Sequence, residues 1–191
     1  MSVCGAILCG GQSSRMGAPK HDLRLPDGRS MIQAVAGAVG EVSEKLIVVG
    51  PDSVMPGHEH VHDLRAGQGP LAGIEALLAS GIADQYLVVP CDVPLMTADL
   101  LRRLLIETNA PVTVFRIDGD DRPESLPMRI SPGPLDAVRR LLDDGRRAVH
   151  GLFGALECEI VPISARDGER LRNINTRDEY EALLASITMG A

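Results

Sequence analysis

Two stretches of this chain combine residue types that handle phosphate. The first runs Leu8-Cys9-Gly10-Gly11-Gln12-Ser13-Ser14-Arg15-Met16-Gly17-Ala18-Pro19-Lys20 and follows directly on the apolar run Val3 to Leu8. An apolar run opening into glycines and small hydroxyl residues reads as a strand feeding a loop whose backbone N–H groups can wrap an anion. Arg15 adds a forked donor and Lys20 a compact point charge, the pair needed to grip a polyphosphate and neutralise charge as a P–O bond breaks. Five residues separate Gly11 from Gly17 and Lys20 precedes His21, which is neither the spacing nor the Gly-Lys-Ser/Thr ending of a P-loop. No Gly-x-Gly-x-x-Gly occurs, which weakens a nicotinamide reading. The second stretch is Pro90-Cys91-Asp92-Val93-Pro94, where the apolar strand Gln85 to Val89 delivers a carboxylate between two prolines. In open parallel sheets the strands' carboxyl ends are where ligands bind. Mg²⁺ prefers carboxylate and phosphate oxygens and keeps several waters, so one or two protein carboxylates suffice and Asp92 is the candidate ligand; a plain loop aspartate is the alternative.

From these residues the chain resembles the nucleotidyltransferases whose signature reads roughly Leu-Ala-Gly-Gly-x-Ser-x-Arg-Met-Gly-x-x-Lys, and within them the MobA-like molybdenum cofactor guanylyltransferases. Cys9 stands where that family usually has alanine. Further matches are Gly-Pro-Leu-Ala-Gly at Gly69 to Gly73, Pro-Cys-Asp-Val-Pro at Pro90 to Pro94, and Asn-Ile-Asn-Thr at Asn173 to Thr176. They follow the family's order and span almost the whole chain. The resemblance implies transfer of GMP from GTP to the terminal phosphate of molybdopterin with release of pyrophosphate, and Mg²⁺ as cofactor on Asp92. It implies Arg15, Lys20 and Asp92 as catalytic residues. It places Leu8, Cys9, Gly10, Gly11, Lys20, Asp63, Gly69, Pro70, Gly73 and Asp92 around the nucleotide, and Arg122, Asn173 and Asn175 toward the acceptor; a turn-capping loop aspartate at Asp63, a tight turn before a helix at Gly69 to Gly73, and turn formation with pre-capping by the two asparagines are the alternatives. Cytidylyltransferases acting on the same cofactor, sugar-phosphate or isoprenoid nucleotidyltransferases, and a non-catalytic nucleotide-binding module are the alternatives. Base choice is the least determined, since Gly50 lacks the asparagine the family can carry there. An oxygen-labile product further implies transient contact with cofactor-insertion proteins and apo-molybdoenzymes.

Composition sets the frame. At 191 residues and 45% hydrophobic content, one domain with one core is the expectation. No apolar run approaches the roughly 18 residues of a membrane span, and the start of the chain has neither the basic flank nor the long apolar segment of a secretory signal, so a cytoplasmic protein is expected. The four cysteines, Cys4, Cys9, Cys91 and Cys158, lie in apolar context without Cys-x-x-Cys and read as buried free thiols. A net charge of −7 has the wrong sign for general binding to nucleic acid or anionic membrane. Distant charges are screened beyond about 8 Å, whereas a cation about 4 Å from phosphate contributes on the order of 4 kcal/mol before desolvation, so local charge decides anion binding.

The elements that must hold these residues follow from periodicity. Ser30 and Gln33 form a capping-box pattern ahead of Ile32, Val35, Val39 and Val42 at helical spacing. Lys45 to Val49 is a short buried strand ending at Gly50-Pro51, and the strand, helix, strand order predicts parallel pairing. In His58-Glu59-His60-Val61-His62-Asp63 the alternate histidines invite a metal site, but a solvated strand face is the blander account and is preferred. Asp63 is expected to end this strand. Gly69 to Gly73 lets backbone approach a flat ligand, with a helix over Leu71 to Leu78 behind it. Thr97 is expected to cap a helix carrying Leu101, Leu104 and Leu105. Val112 to Arg116 is a strand, the turn Asp118-Gly119-Asp120-Asp121 follows, and Arg122 begins the acceptor-side segment, though a solvated loop arginine is as good a reading. A helix runs from Leu135 to near Gly145, a shorter one falls in Ala148 to Leu156, and Glu157 to Ile163 is a late strand. Thr176 and Glu179 form a second capping box before a final helix turning Tyr180, Leu183, Leu184 and Ile187 inward, and Met189-Gly190-Ala191 is expected to fray. The predicted fold is an α/β three-layer sandwich with a mostly parallel, Rossmann-like sheet and the nucleotide across its carboxyl ends.

Overall fold

Alternation along the first strand sets the layering. In β1 (Val3–Leu8) successive side chains point to opposite faces; Cys4, Ala6 and Leu8 enter one buried cluster, while Ile7, with Cys9 beyond the strand, enters another. The structure is a computed structural model that describes residues 2–10 and 20–189, with the backbone alone at Lys20 and Met189.

After β1 come α1 (Met31–Gly40), β2 (Lys45–Val49), β3 (Glu59–Val61), α2 (Pro70–Ala79), β4 (Gln85–Pro90), α3 (Ala98–Arg102), β5 (Val112–Ile117), β6 (Met128–Ile130), α4 (Leu135–Asp143), β7 (Cys158–Ile163), α5 (Ala165–Gly168) and α6 (Arg177–Met189). The strands form one seven-stranded sheet in the order β3-β2-β1-β4-β6-β5-β7. Pairing is parallel except at β6, which runs antiparallel between β4 and β5. One face packs on α2 and α4 through Leu71, Ile74, Leu77, Val138 and Leu141; the other packs on α1 and α3 through Ile32, Val35, Leu100 and Leu101. The predicted three-layer α/β sandwich is therefore found. Strand order reverses between β1 and β4, which places a crevice at the carboxyl ends of β1, β2 and β4.

A third buried cluster sits at that end. Leu25, Met31, Ala34, Ile174 and Leu183 pack together, with Tyr180 and Ile187 against them, so α6 braces the segment that leads into α1. The Tyr180 hydroxyl donates to the Arg24 carbonyl, tying the last helix to that segment. Both capping boxes form. Ser30 Oγ accepts from Gln33 N–H at 3.3 Å while Gln33 Oε1 accepts from Ser30 N–H at 2.8 Å. Thr176 Oγ1 accepts from Glu179 N–H at 3.2 Å, and Glu179 Oε2 accepts from Thr176 N–H at 2.9 Å and from Asn175 N–H at 2.6 Å.

Some expectations change. Thr97 occupies the cap position of α3 without a side-chain cap bond, and α3 ends at Arg102, so Leu104 is buried in the segment after it. β3 ends at Val61, leaving His62 and Asp63 beyond it; the Val61 carbonyl is taken by Gly50 N–H at 3.0 Å. The helix expected in Ala148 to Leu156 is a 3-10 helix over Val149–Gly154. Cys4 and Cys9 are buried free thiols, but Cys91 and Cys158 are only half-buried. Gly190 and Ala191 lie outside the described residues. No helix among the described residues is long and apolar enough to cross a membrane.

Candidate active site at the carboxyl ends of β1, β2 and β4

A cleft of about 740 Å³ opens at the carboxyl ends of β1, β2 and β3, next to the reversal between β1 and β4. Its walls come from four places: Cys9 and Gly10 after β1, Gly50 and Pro51 after β2, the segment after β3 with His62, Asp63, Ala66 and Gly67, and Gly69 and Pro70 at the start of α2. Most of these residues are glycine, proline or alanine. Gly50, at φ 152°, has no room for a side chain, because a Cβ there would stand 2.5 Å from the Cys9 carbonyl oxygen. Under the cleft, a Cβ on Gly73 would stand 2.5 Å from Leu8 Cδ1 and 3.1 Å from Val49 Cγ1, so glycine is what lets α2 settle onto β1 and β2. Pro70 has no N–H to give, and the Leu71 N–H goes to the Arg147 carbonyl at 3.2 Å. The start of α2 thus offers shape more than hydrogen-bond donors, which suits a base or ribose wall better than a phosphate cradle.

Ion pairs brace the outer wall. Arg65 Nε lies 3.0 Å from Glu75 Oε2 and Arg65 Nη1 lies 2.6 Å from Asp143 Oδ1, joining the segment after β3 to α2 and α4. Glu75 is 2% exposed, and Arg139 Nε approaches its other oxygen at 3.7 Å. A buried carboxylate is costly unless paired, so the two arginines make this charge tolerable and fix where Arg65 sits. Burial pushes the Asp63 carboxyl above the ordinary aspartate range, and the neighbouring His62 partly offsets this.

Asp92 stands on the other side of Cys9. The Cys91 N–H donates to the Leu8 carbonyl at 3.3 Å, continuing the register in which Leu8 faces Pro90, so the residue after β1 and the residue after β4 lie side by side. The Cys9 thiol is raised far above its ordinary value, first by its hydrogen bond with the Cys91 thiol, then by burial and the nearby Asp92 charge. It stays protonated and serves as packing. The Asp92 carbonyl accepts from Ile174 N–H at 2.9 Å, which brings Asn173-Ile174-Asn175 against the Asp92 turn. Ile174 itself is buried under α6, while Asn173 and Asn175 are exposed beside it.

Of the residues singled out from the sequence, the structure brings Cys9, Gly10, Asp63, Gly69 and Pro70 to one cleft, with Gly73 beneath it. Leu8 is 7% exposed and packs in the core under Gly73, with only its carbonyl reaching the Cys91 backbone. Asp92, Asn173 and Asn175 gather at one turn beside Cys9. Arg122 lies exposed in the connection between β5 and β6. Gly11, Arg15 and the Lys20 side chain fall outside the described residues. Sequence reasoning missed Gly50, Pro51, His62, Ala66 and Gly67 as cleft walls, and Arg65 and Glu75 as their braces. The turn pair Gly50-Pro51 after a strand was a usable signal; a glutamate inside the apolar helical run Leu71 to Leu78 was another. Among the described residues no group of three His, Cys, Asp or Glu side chains is placed to hold a metal ion. His60 Nε2 lies 2.8 Å from the Val54 carbonyl.

Comparison with known proteins agrees with this arrangement. A family model for the MobA-like NTP transferase domain matches residues 5–158. A molybdenum cofactor guanylyltransferase from a Shewanella species is 30% identical over 97% of each chain. One from Xanthomonas euvesicatoria is 27% identical, covering 94% of this chain and 93% of that one. The crystal structure of molybdopterin-guanine dinucleotide biosynthesis protein A from Archaeoglobus fulgidus superposes with a TM-score of 0.81, at 22% identity and covering 97% of this chain and 99% of that one, which supports the fold. The match over residues 5–158 places this chain in the MobA-like NTP transferase family, as a nucleotidyltransferase.

Proposed function

We infer that this enzyme transfers GMP from GTP to the terminal phosphate of molybdopterin, releasing pyrophosphate. The observation that carries the reading is the juxtaposition, across Cys9, of a cleft of about 740 Å³ walled mostly by glycine, proline and alanine and a turn where Asp92 meets the Asn173-Ile174-Asn175 backbone. The relatives named for guanylyl transfer to the molybdenum cofactor supply the substrate class.

The base and ribose would lie between Gly50-Pro51 and the start of α2, with the phosphates over Gly10 toward the stretch that carries Gly11, Arg15 and Lys20. An acceptor phosphate oxygen forms the new bond to the α-phosphorus as the bond to the bridging oxygen breaks and pyrophosphate leaves. A phosphate monoester is already largely ionised at neutral pH, its second pKa lying near about 6, so attack needs no general base. That agrees with an acceptor side made of one carboxylate and two amides. The donor set around Asp92 is a hard carboxylate with no three-residue shell among the described residues, which fits a cation taking most of its ligands from phosphate and water. Asp92 would hold Mg²⁺, whose charge when bound lowers the barrier to building negative charge on the phosphates. Asn173 and Asn175, fixed by Ile174 and by the Glu179 carboxylate, would orient the acceptor.

The deciding experiment is pyrophosphate release from purified protein under anaerobic conditions with molybdopterin and each of GTP, CTP and ATP, with Mg²⁺ and with chelator. Release with GTP, abolished by chelator, is expected. Release with CTP instead would retain the fold and chemistry but reassign the base. Absence of release with any nucleotide and molybdopterin would refute transfer to this acceptor.

A further inference from the structure

The histidine stretch after β2 is left unused by the proposed reaction, yet one of its members faces the cleft. Among the described lining residues, polar side-chain atoms come only from Cys9, His62 and Asp63, and His62 carries the only planar ring. The chain is poor in such rings, with two Phe, two Tyr and no Trp. Tyr86 and Phe115 are fully buried within the sheet, Phe153 packs against the α2 and α4 cluster, and Tyr180 lies on α6. None of the four lines this cleft. Gly50 and Pro51, beside His62, bring no hydrogen-bonding side chain.

His62 is also held in place. Its Nε2 lies 3.3 Å from Asp52 Oδ1, and its ring is nearly parallel to that of His60, with centroids 6.5 Å apart and 12° between planes. His60 is anchored in turn, its side chain 8% exposed, with Nε2 at the Val54 carbonyl and Nδ1 3.7 Å from the same Asp52 oxygen. The His62 side chain remains 61% exposed. An exposed aromatic ring on a cleft otherwise lined by glycine, proline, alanine, Cys9 and Asp63 is what a nucleobase needs for stacking.

We propose that His62 is the base-contacting residue of the nucleotide cleft, its imidazole braced by Asp52 and His60 and stacked on the nucleobase of the donor nucleotide. The proposal rests on the nucleotide reading of the cleft. It gives the alternating histidines a division of labour: His60 is the buried brace and His62 the contact.

The test separates base from phosphate. Affinities for GTP and for inorganic triphosphate are measured by calorimetry with Mg²⁺ on wild type, His62→Ala and His62→Phe, with far-UV circular dichroism confirming the fold. His62→Ala should weaken GTP about tenfold while leaving triphosphate unchanged, as expected for loss of one stacked ring. His62→Phe should restore most of the GTP affinity, because the ring face is kept. Equal affinity of wild type and His62→Ala for GTP, or an equal loss for GTP and triphosphate, would overturn the assignment. A wild-type protein that binds no nucleotide would instead remove the reading of the cleft on which the assignment depends.

Discussion

The two sides of this site are specified in opposite ways. On the side we propose for the nucleotide, Gly50, Gly69 and Gly73 sit where a Cβ would crowd a neighbour, and most lining residues are glycine, proline or alanine. On the other side, which we propose for the metal and the acceptor, Asp92, Asn173 and Asn175 offer polar side chains, and buried Ile174 with α6 holds their backbone in position. One side is defined by side chains that are missing, the other by side chains that are present. Adding atoms should therefore damage the first, and removing atoms the second.

The largest expected effect comes from removal. Asp92→Asn keeps the shape of the turn but removes the charge that would hold the cation, so steady-state pyrophosphate release should fall by roughly 10²- to 10³-fold. Nucleotide affinity without metal should change little. A variant within about threefold of wild type would take Asp92 out of the chemistry and erase the contrast between the two sides. Next comes addition. Gly73→Val would drive methyl groups into Leu8 and Val49, contacts already at 2.5 Å and 3.1 Å for a Cβ alone. Overpacking of this kind costs about 1–3 kcal/mol, read as a lower denaturation midpoint. A midpoint unchanged from wild type would show that α2 can lift off β1 and β2 freely, and that the space is not specified.

How much of this was legible in the sequence differs between the same two sides. Asp92, Asn173 and Asn175 were readable because they are polar residues standing in short motifs, and the capping boxes at Ser30 and Thr176 because a cap has a fixed spacing. The backbone walls were only half readable. Gly69 and Gly73 stood out through a motif, whereas Gly50 gains its role from the Cys9 carbonyl on the neighbouring strand end and Gly67 from its place on the cleft wall. Glu75 could not be interpreted at all without knowing that Arg65 and Arg139 converge on it from two other segments. Thr97 shows the reverse failure: the right residue at the right position, with its hydroxyl making no cap bond. Local signals give the elements and the groups they carry. Pairings between distant segments are set by packing.

A smaller effect should come from loosening the nucleotide wall without filling it. Arg65→Ala removes the fork between Glu75 and Asp143, at 3.0 Å and 2.6 Å. The segment from Asp63 to Gly69 then loses its tie to α2 and α4. Nucleotide affinity should drop about tenfold, on the order of 1.4 kcal/mol, while the maximal rate of transfer at saturating GTP holds near wild type. A fall in maximal rate with unchanged affinity would place Arg65 on the wrong side of the comparison.

The finest test uses two carboxylates with opposite pH signatures. Asp63 on the nucleotide side is raised by burial. Its folded state favours the protonated form, so its contribution to stability is complete below the unfolded value of about 3.9 and is lost as pH rises through the raised one. Glu179 on the acceptor side is lowered by the backbone N–H groups of Asn175 and then Thr176. Its contribution is complete above the unfolded value of about 4.3 and is lost as pH falls through the lowered one. Thermal melts across the acid range should therefore diverge. Relative to wild type, Asp63→Asn should become less favourable as the solution is acidified, because wild type then regains what the desolvated charge had cost it. Glu179→Gln should become less unfavourable over the same change, because acid discharges the carboxylate that held Asn175 and Thr176. If both variants track wild type in the same direction, the two walls do not differ in how they hold their carboxylates, and the contrast would rest on geometry alone.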